Sequence, residues 1–213
     1  MVRICMMTSI RTSAGRLHRR FHLWRGIRAL EGVPSSRRLA ELRYGWGNER
    51  WAADVDFLEA TAAHAAGSGG HILECGSGLT TLVLAAISGT RVWSLEHSPE
   101  WFARTEAALR RYGLHANLRL CPLQRHHGGF DWYAVPRDLP KTFSLVICDG
   151  PPWDTHGGRY GLMPVLHGHM TSPATILLDD ADRDGEVEAL RRWRTEFGAT
   201  REIRGRFAVV HTV

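Results

Sequence analysis

Residues 71–87 read HILECGSGLTTLVLAAI. A short apolar run ends at Glu74, glycines follow at 76 and 78, and a second apolar stretch runs from Leu79 to Ile87. This is the pattern of a strand, a tight turn and a helix, because glycine supplies the turn and lets backbone approach a ligand closely at a helix N-terminus. The alternation continues downstream. RVWSLE (91–96) reads as a second strand, Pro99 to Tyr112 as a helix opening on Ser98-Pro99, and NLRLCPL (117–123) as a third strand. FSLVICD (143–149) and ATILLDD (174–180) are continuous apolar runs of the kind buried on both faces of a sheet, with a crossover helix expected over Arg159–Met170 and another over Arg183–Phe197. TREIRGRFAVVHTV (200–213) reads as two strands about Gly205, able to pair as an antiparallel hairpin at a sheet edge. Upstream, Trp51, Val55, Leu58 and Ala62 fall at helical spacing behind Asn48, predicting a helix over Asn48–Ala66. Seven strands alternating with helices imply a doubly wound, mostly parallel α/β sheet with a C-terminal antiparallel hairpin, whose ligands lie beyond the carboxyl ends of the strands.

The chain has 213 residues, enough for one complete core. At 44% hydrophobic and 23% charged it is neither disordered nor collagenous, and no apolar run approaches the roughly 20 residues of a membrane-spanning helix. The opening MVRICMMTSIRTSAGR interrupts its apolar stretch with Arg3 and Arg11, so it lacks the apolar core of a secretion signal and the cytoplasm is the expected compartment. Cys5, Cys75, Cys121 and Cys148 form no CxxC pair, which argues against a zinc knuckle or a disulfide scaffold.

The net charge of +5 is unevenly spread. Residues 1–50 hold 11 arginines against Glu31, Glu41 and Glu49, a net +8, and the remainder is net −3. The basicity therefore belongs to an N-terminal arm, residues 1–47, able to touch an anionic surface but read as a solvated extension partly packed by Leu23, Trp24 and Ile27; the main domain is assigned to 48–213. That domain lacks a basic stripe of its own apart from RRWR at 191–194, which argues against a nucleic-acid substrate.

The turn after the first strand departs from a dinucleotide fingerprint, since Thr81 stands where a third glycine is wanted and Glu74 would face a pyrophosphate. A strand-end carboxylate suits instead a ligand bearing an ammonium and a sulfonium, which S-adenosylmethionine does. Glu96, 18 residues after Gly78, ends the second strand and can accept both hydroxyls of a ribose. With ECGSGLT at the first strand end and SLEHSPEW at the second, residues 48–213 resemble the class I S-adenosylmethionine-dependent methyltransferases, a Rossmann-like family; Thr80 stands at that family's third glycine. The resemblance implies that Glu74, Gly76, Ser77 and Gly78 hold the methionine part of the cofactor, Glu96 the ribose, and His97 with Ser98 the adenosine edge.

Asp149 ends the fourth strand and Asp179–Asp180 the fifth, so three carboxylates converge at adjacent strand ends. Such a cluster is costly without a cation, and oxygen-only donors favour Mg²⁺ or Mn²⁺. The pattern is similar to metal-dependent small-molecule and sugar O-methyltransferases, which implies Asp149, Asp179 and Asp180 as metal ligands. Where the catechol-type enzymes carry a lysine three residues beyond the first Asp, this chain has Pro152, which leaves Asp149 and His156 as the candidate catalytic groups. Another reading of Asp179 and Asp180 is a helix cap before Arg183. Trp132, Tyr133, Trp153 and Tyr160 are either a platform for the acceptor or core packing. His126-His127 and His167-x-His169 have no third ligand and read as non-metal. The expected activity is methyl transfer to a hydroxyl of a small molecule or saccharide, with a divalent cation assisting. Two alternatives stay open: a methyltransferase of RNA or protein using the basic arm, and a non-catalytic cofactor-binding module.

Overall fold

The computed structural model describes residues 15, 17–30, 33–48 and 51–213. A helix over 17–28 (α1) is followed by α2 (Ser36–Trp46), α3 (Val55–Gly67), β1 (His71–Cys75), α4 (Leu79–Ser88), β2 (Val92–Glu96), α5 (Pro99–Tyr112) and β3 (Asn117–Leu120). Then come β4 (Leu123–Arg125), β5 (Asp131–Tyr133), β6 (Phe143–Cys148), α6 (Leu162–Leu166), β7 (Met170–Leu178), α7 (Asp184–Phe197), β8 (Thr200–Arg204) and β9 (Phe207–His211). Seven strands form one sheet in the order β3-β2-β1-β6-β7-β9-β8, parallel from β3 to β7, with β9 antiparallel to both β7 and β8. The expected doubly wound sheet and terminal hairpin are both present.

Each central strand is apolar on both faces, and alternate residues feed two cores. Leu73, Val146, Cys148, Ile176 and Leu178 pack with Trp132, Tyr133, Leu162 and Trp193 on one side. Ile72, Leu145, Ile147 and Leu177 pack with Leu39, Leu42, Phe57, Leu58 and Leu82 on the other. The described part of the basic arm belongs to this second core. Leu23, Ile27, Leu39 and Leu42 are buried, whereas Trp24 is exposed. Helices α1 and α2 cross closely: a Cβ on Gly45 would lie 2.6 Å from Leu23 N, so only glycine admits the contact.

Several boundaries differ from the sequence expectation for local reasons. The helix expected from Asn48 starts at Val55, because Asp54 caps it by accepting from Phe57 N–H (3.0 Å). Trp51 thus precedes the helix. The third expected strand divides at Cys121-Pro122, and β4 leaves the sheet to pair antiparallel with β5 in a two-stranded ribbon. The crossover expected over Arg159–Met170 contracts to α6 between 3₁₀ turns at Gly158–Gly161 and His167–His169. Helix α7 begins at Asp184, and Arg183, not an aspartate, occupies the N-cap position with no side-chain cap bond. Among the described residues no helix is long and apolar enough to cross a membrane.

Candidate functional site

The carboxyl ends of β1, β2, β6 and β7 open onto one cleft of about 220 Å³. Its floor is the turn after β1. Gly76 has φ +91°, and a Cβ there would lie 2.9 Å from Gly150 N, so the β1 and β6 loops touch through glycine at both positions. Gly78 has open space around its Cα on the cleft side, and its N–H donates to Thr81 Oγ1 (2.9 Å).

Glu74 and Glu96 occupy different environments. Glu74 is fully buried on the α4 side of the sheet and does not line the cleft; its Oε2 accepts from Thr81 Oγ1 (2.6 Å) and Ser94 Oγ (2.5 Å). Burial pushes this carboxyl up to about 7 despite those two donors. Through Thr81 it supports Gly78 from beneath. Glu96 lines the cleft. Its Oε2 accepts from Ser77 N–H (2.9 Å) and Ser77 Oγ (2.8 Å), its Oε1 accepts from Ser98 N–H (2.8 Å), and His97 Nδ1 lies 3.1 Å from Oε1. Burial raises the Glu96 pKa, but the donors from His97, Ser98 and Ser77 outweigh it and hold the carboxyl below its ordinary range. Ser77 Oγ has a second acceptor in Thr105 Oγ1 (3.3 Å), so it can turn away and free Glu96 Oε2 for a ligand hydroxyl. Five of the seven cofactor candidates, Gly76, Ser77, Gly78, Glu96 and His97, therefore line the cleft, Ser98 lies against Glu96, and Glu74 stands behind the turn.

At the other end of the cleft Asp149, Asp179 and Asp180 each present an oxygen, all within 4.8 Å of one another. The sequence reading did not anticipate what stands among them. Arg159 is buried, and its Nη2 donates to Asp149 O (2.8 Å), Asp149 Oδ1 (3.2 Å) and Asp180 Oδ2 (3.4 Å); its Nη1 donates to Asp179 O (2.6 Å). Asp180 also pairs with Arg183 Nη1 (2.8 Å) and Arg206 Nη2. Asp179 Oδ1 accepts from the N–H of Asp180, a residue held at φ +51°. Burial and then the neighbouring Asp180 raise Asp179 to about 6, and burial with the Asp179 charge raises Asp149 well above its usual value. Glycine at 157 and 158, both with positive φ, turns the loop so that Arg159 enters the protein. An arginine directly after two glycines was the only sequence signal for it.

His156 is exposed, and its side chain does not line the cleft. Among the four aromatics weighed as a platform, Trp132, Tyr133 and Tyr160 are buried, and Trp153 is exposed at the cleft, as is Trp51, while Trp101 lines it half-buried. Tyr133 is a wall residue whose hydroxyl has no hydrogen-bond partner among the described residues. Arg43 and Trp46 of α2 complete the wall from the arm side.

This chain is similar to a putative O-methyltransferase from Klebsiella pneumoniae (TM-score 0.54, 15% identity, covering 87% of this chain and 92% of that one). It is also similar to a tRNA (m1A58) methyltransferase from Aquifex aeolicus (TM-score 0.53, 16% identity, 84% and 75% covered). A third solved structure is the precorrin-6y C5,15-methyltransferase from Geobacter metallireducens GS-15 (TM-score 0.52, 12% identity, 77% and 90% covered). The fold is that of the class I methyltransferases. No protein-family model and no curated protein sequence matches the chain. One of these is named for tRNA and another for precorrin-6y, so the shared fold leaves the acceptor of this chain to be argued from its own cleft.

Proposed function

We propose that this protein binds S-adenosylmethionine and transfers its methyl group to a hydroxyl of a small molecule or saccharide. The observation that carries the reading is one cleft holding an ionised Glu96, the Gly76–Gly78 turn with open space at Gly78, and Asp149 at the opposite end. Glu96 takes the ribose hydroxyls, His97 and Ser98 the adenosine edge, and the turn carried on Glu74 the methionine part. The transfer is an in-line displacement: the acceptor oxygen forms a bond to the methyl carbon, the carbon–sulfur bond breaks with its pair going to sulfur, and the hydroxyl proton must leave. Asp149 is the group assigned to that proton, because its carboxyl borders the cleft at the end opposite Glu96. Trp153, exposed at the cleft, offers a ring face on which a saccharide or aromatic acceptor can lie.

The three aspartates have the donor chemistry of a Mg²⁺ or Mn²⁺ site, but the surrounding charges do not fit a dication. Arg159 bridges Asp149 and Asp180, and Arg183 and Arg206 also pair with Asp180, so guanidinium groups already supply the positive charge that the cluster needs. We therefore assign the neutralising role to Arg159 and not to a metal ion. We take 48–213 as the methyltransferase domain and 1–47 as a basic segment whose α2 lends Arg43 and Trp46 to the cleft wall. The test is a methyl-transfer screen over sugar and phenol acceptors, run with and without chelator. Turnover of a hydroxyl acceptor, equal in both arms, supports the reading. Turnover only of RNA or protein, or none with any acceptor despite cofactor binding, counts against it.

A further inference from the structure

Helix α1 has two faces of opposite duty. Leu23 and Ile27 point into the core, and the close crossing at Gly26 and Gly45 fixes the helix against α2. On the outward face the spacing i, i+4, i+7 aligns Leu17, Phe21 and Trp24 along one crest, and they are 69%, 54% and 43% exposed. Three large apolar side chains in a row on an exposed helix are unusual for a soluble surface and mark a contact site. Their neighbours are cationic: Arg20 and Arg25 flank the crest and Arg28 continues it, its guanidinium 5.2 Å above the Trp24 ring. Among the described residues an acid holds only Arg25 of these three, Glu41 at 3.2 Å.

We propose that this face of α1 docks on an anionic lipid surface. The charge argument selects the occupant. Residues 1–50 carry a net +8 on a chain otherwise net negative, which matches a sheet of negative headgroups. The apolar argument separates a bilayer from a nucleic acid. Unpaired bases could stack on Phe21 and Trp24 but would leave Leu17, the most exposed of the three, without a role, whereas an interfacial helix places the whole crest below the headgroups and its arginines among them. Because α1 is fixed to α2, and α2 contributes Arg43 and Trp46 to the cleft, docking would hold the cleft beside the membrane surface.

The experiment is co-sedimentation of the full chain with vesicles of phosphatidylcholine alone and of phosphatidylcholine with phosphatidylserine, beside a filter-binding arm with unstructured RNA. The expected result is sedimentation with the anionic vesicles only, reversed by salt. The double variant F21S/W24S, at exposed positions and checked for an unchanged thermal melt, should lose at least about tenfold in vesicle affinity. R20Q/R28Q should lose affinity for anionic vesicles as well. Failure to sediment with anionic vesicles overturns the proposal, as does vesicle binding indifferent to F21S/W24S, or RNA binding that exceeds vesicle binding. None of these readouts uses methyl transfer.

Discussion

Replacing Glu74 by Gln tests the charge state of the group under the turn. In the folded protein Glu74 is fully buried and accepts from Thr81 and Ser94; burial raises its pKa from an ordinary 4.5 to about 7. A carboxyl whose folded pKa lies above its unfolded one keeps its proton in the native state while the unfolded chain has already lost it. Stability must then fall as pH rises through that window and level off above it. The rise corresponds to about 3 kcal/mol, an order-of-magnitude figure at 1.4 kcal/mol per pH unit. Gln cannot ionise and so abolishes this slope. The difference in unfolding free energy, variant minus wild type, should climb by about 3 kcal/mol between pH 4 and pH 8, whatever fixed cost the amide brings. Urea denaturation at half-unit pH steps measures it. Parallel pH profiles for the two proteins would refute the reasoning and mean that Glu74 is ionised and solvated in the native state.

Three further outcomes follow from named contacts. Glu96→Ala should cost about 1–3 kcal/mol of cofactor affinity by calorimetry, through lost ribose hydrogen bonds; unchanged affinity removes Glu96 from the site. Asp149→Asn should lower turnover far more than it weakens cofactor binding, and steady-state kinetics beside calorimetry would show this; equal losses in both would make Asp149 a cofactor contact. Leu39→Ala, at a fully buried position of α2, should destabilise the protein by about 2–5 kcal/mol in chemical denaturation, a loss that a merely solvated arm would not suffer.

The alternation of apolar runs with glycine turns made the sheet legible, because strands buried on both faces leave a continuous apolar signature. Ser98-Pro99 marked the start of α5 correctly, and Ser98 Oγ accepts from Trp101 N–H (3.4 Å). Asn48 and Asp54 are both good caps, and sequence alone does not rank them; Asp54 holds the position in the fold. Convergence of Asp149, Asp179 and Asp180 was also legible, since neighbouring strand ends must meet. The identity of their counter-charge was not. Arg159 reaches the cluster from a loop, and Arg206 from the hairpin after β8, and both approaches depend on tertiary packing that no local spacing encodes. The same holds for the arm: its charge suggested a solvated extension, but Leu39 and Leu42 recur at helical spacing and are buried.

The most direct test of the account is isothermal calorimetry of S-adenosylhomocysteine against the folded full chain, with NADH as the control ligand. The account predicts one site at about micromolar affinity for S-adenosylhomocysteine and no comparable heat with NADH. Tight binding of NADH with no response to S-adenosylhomocysteine would contradict it.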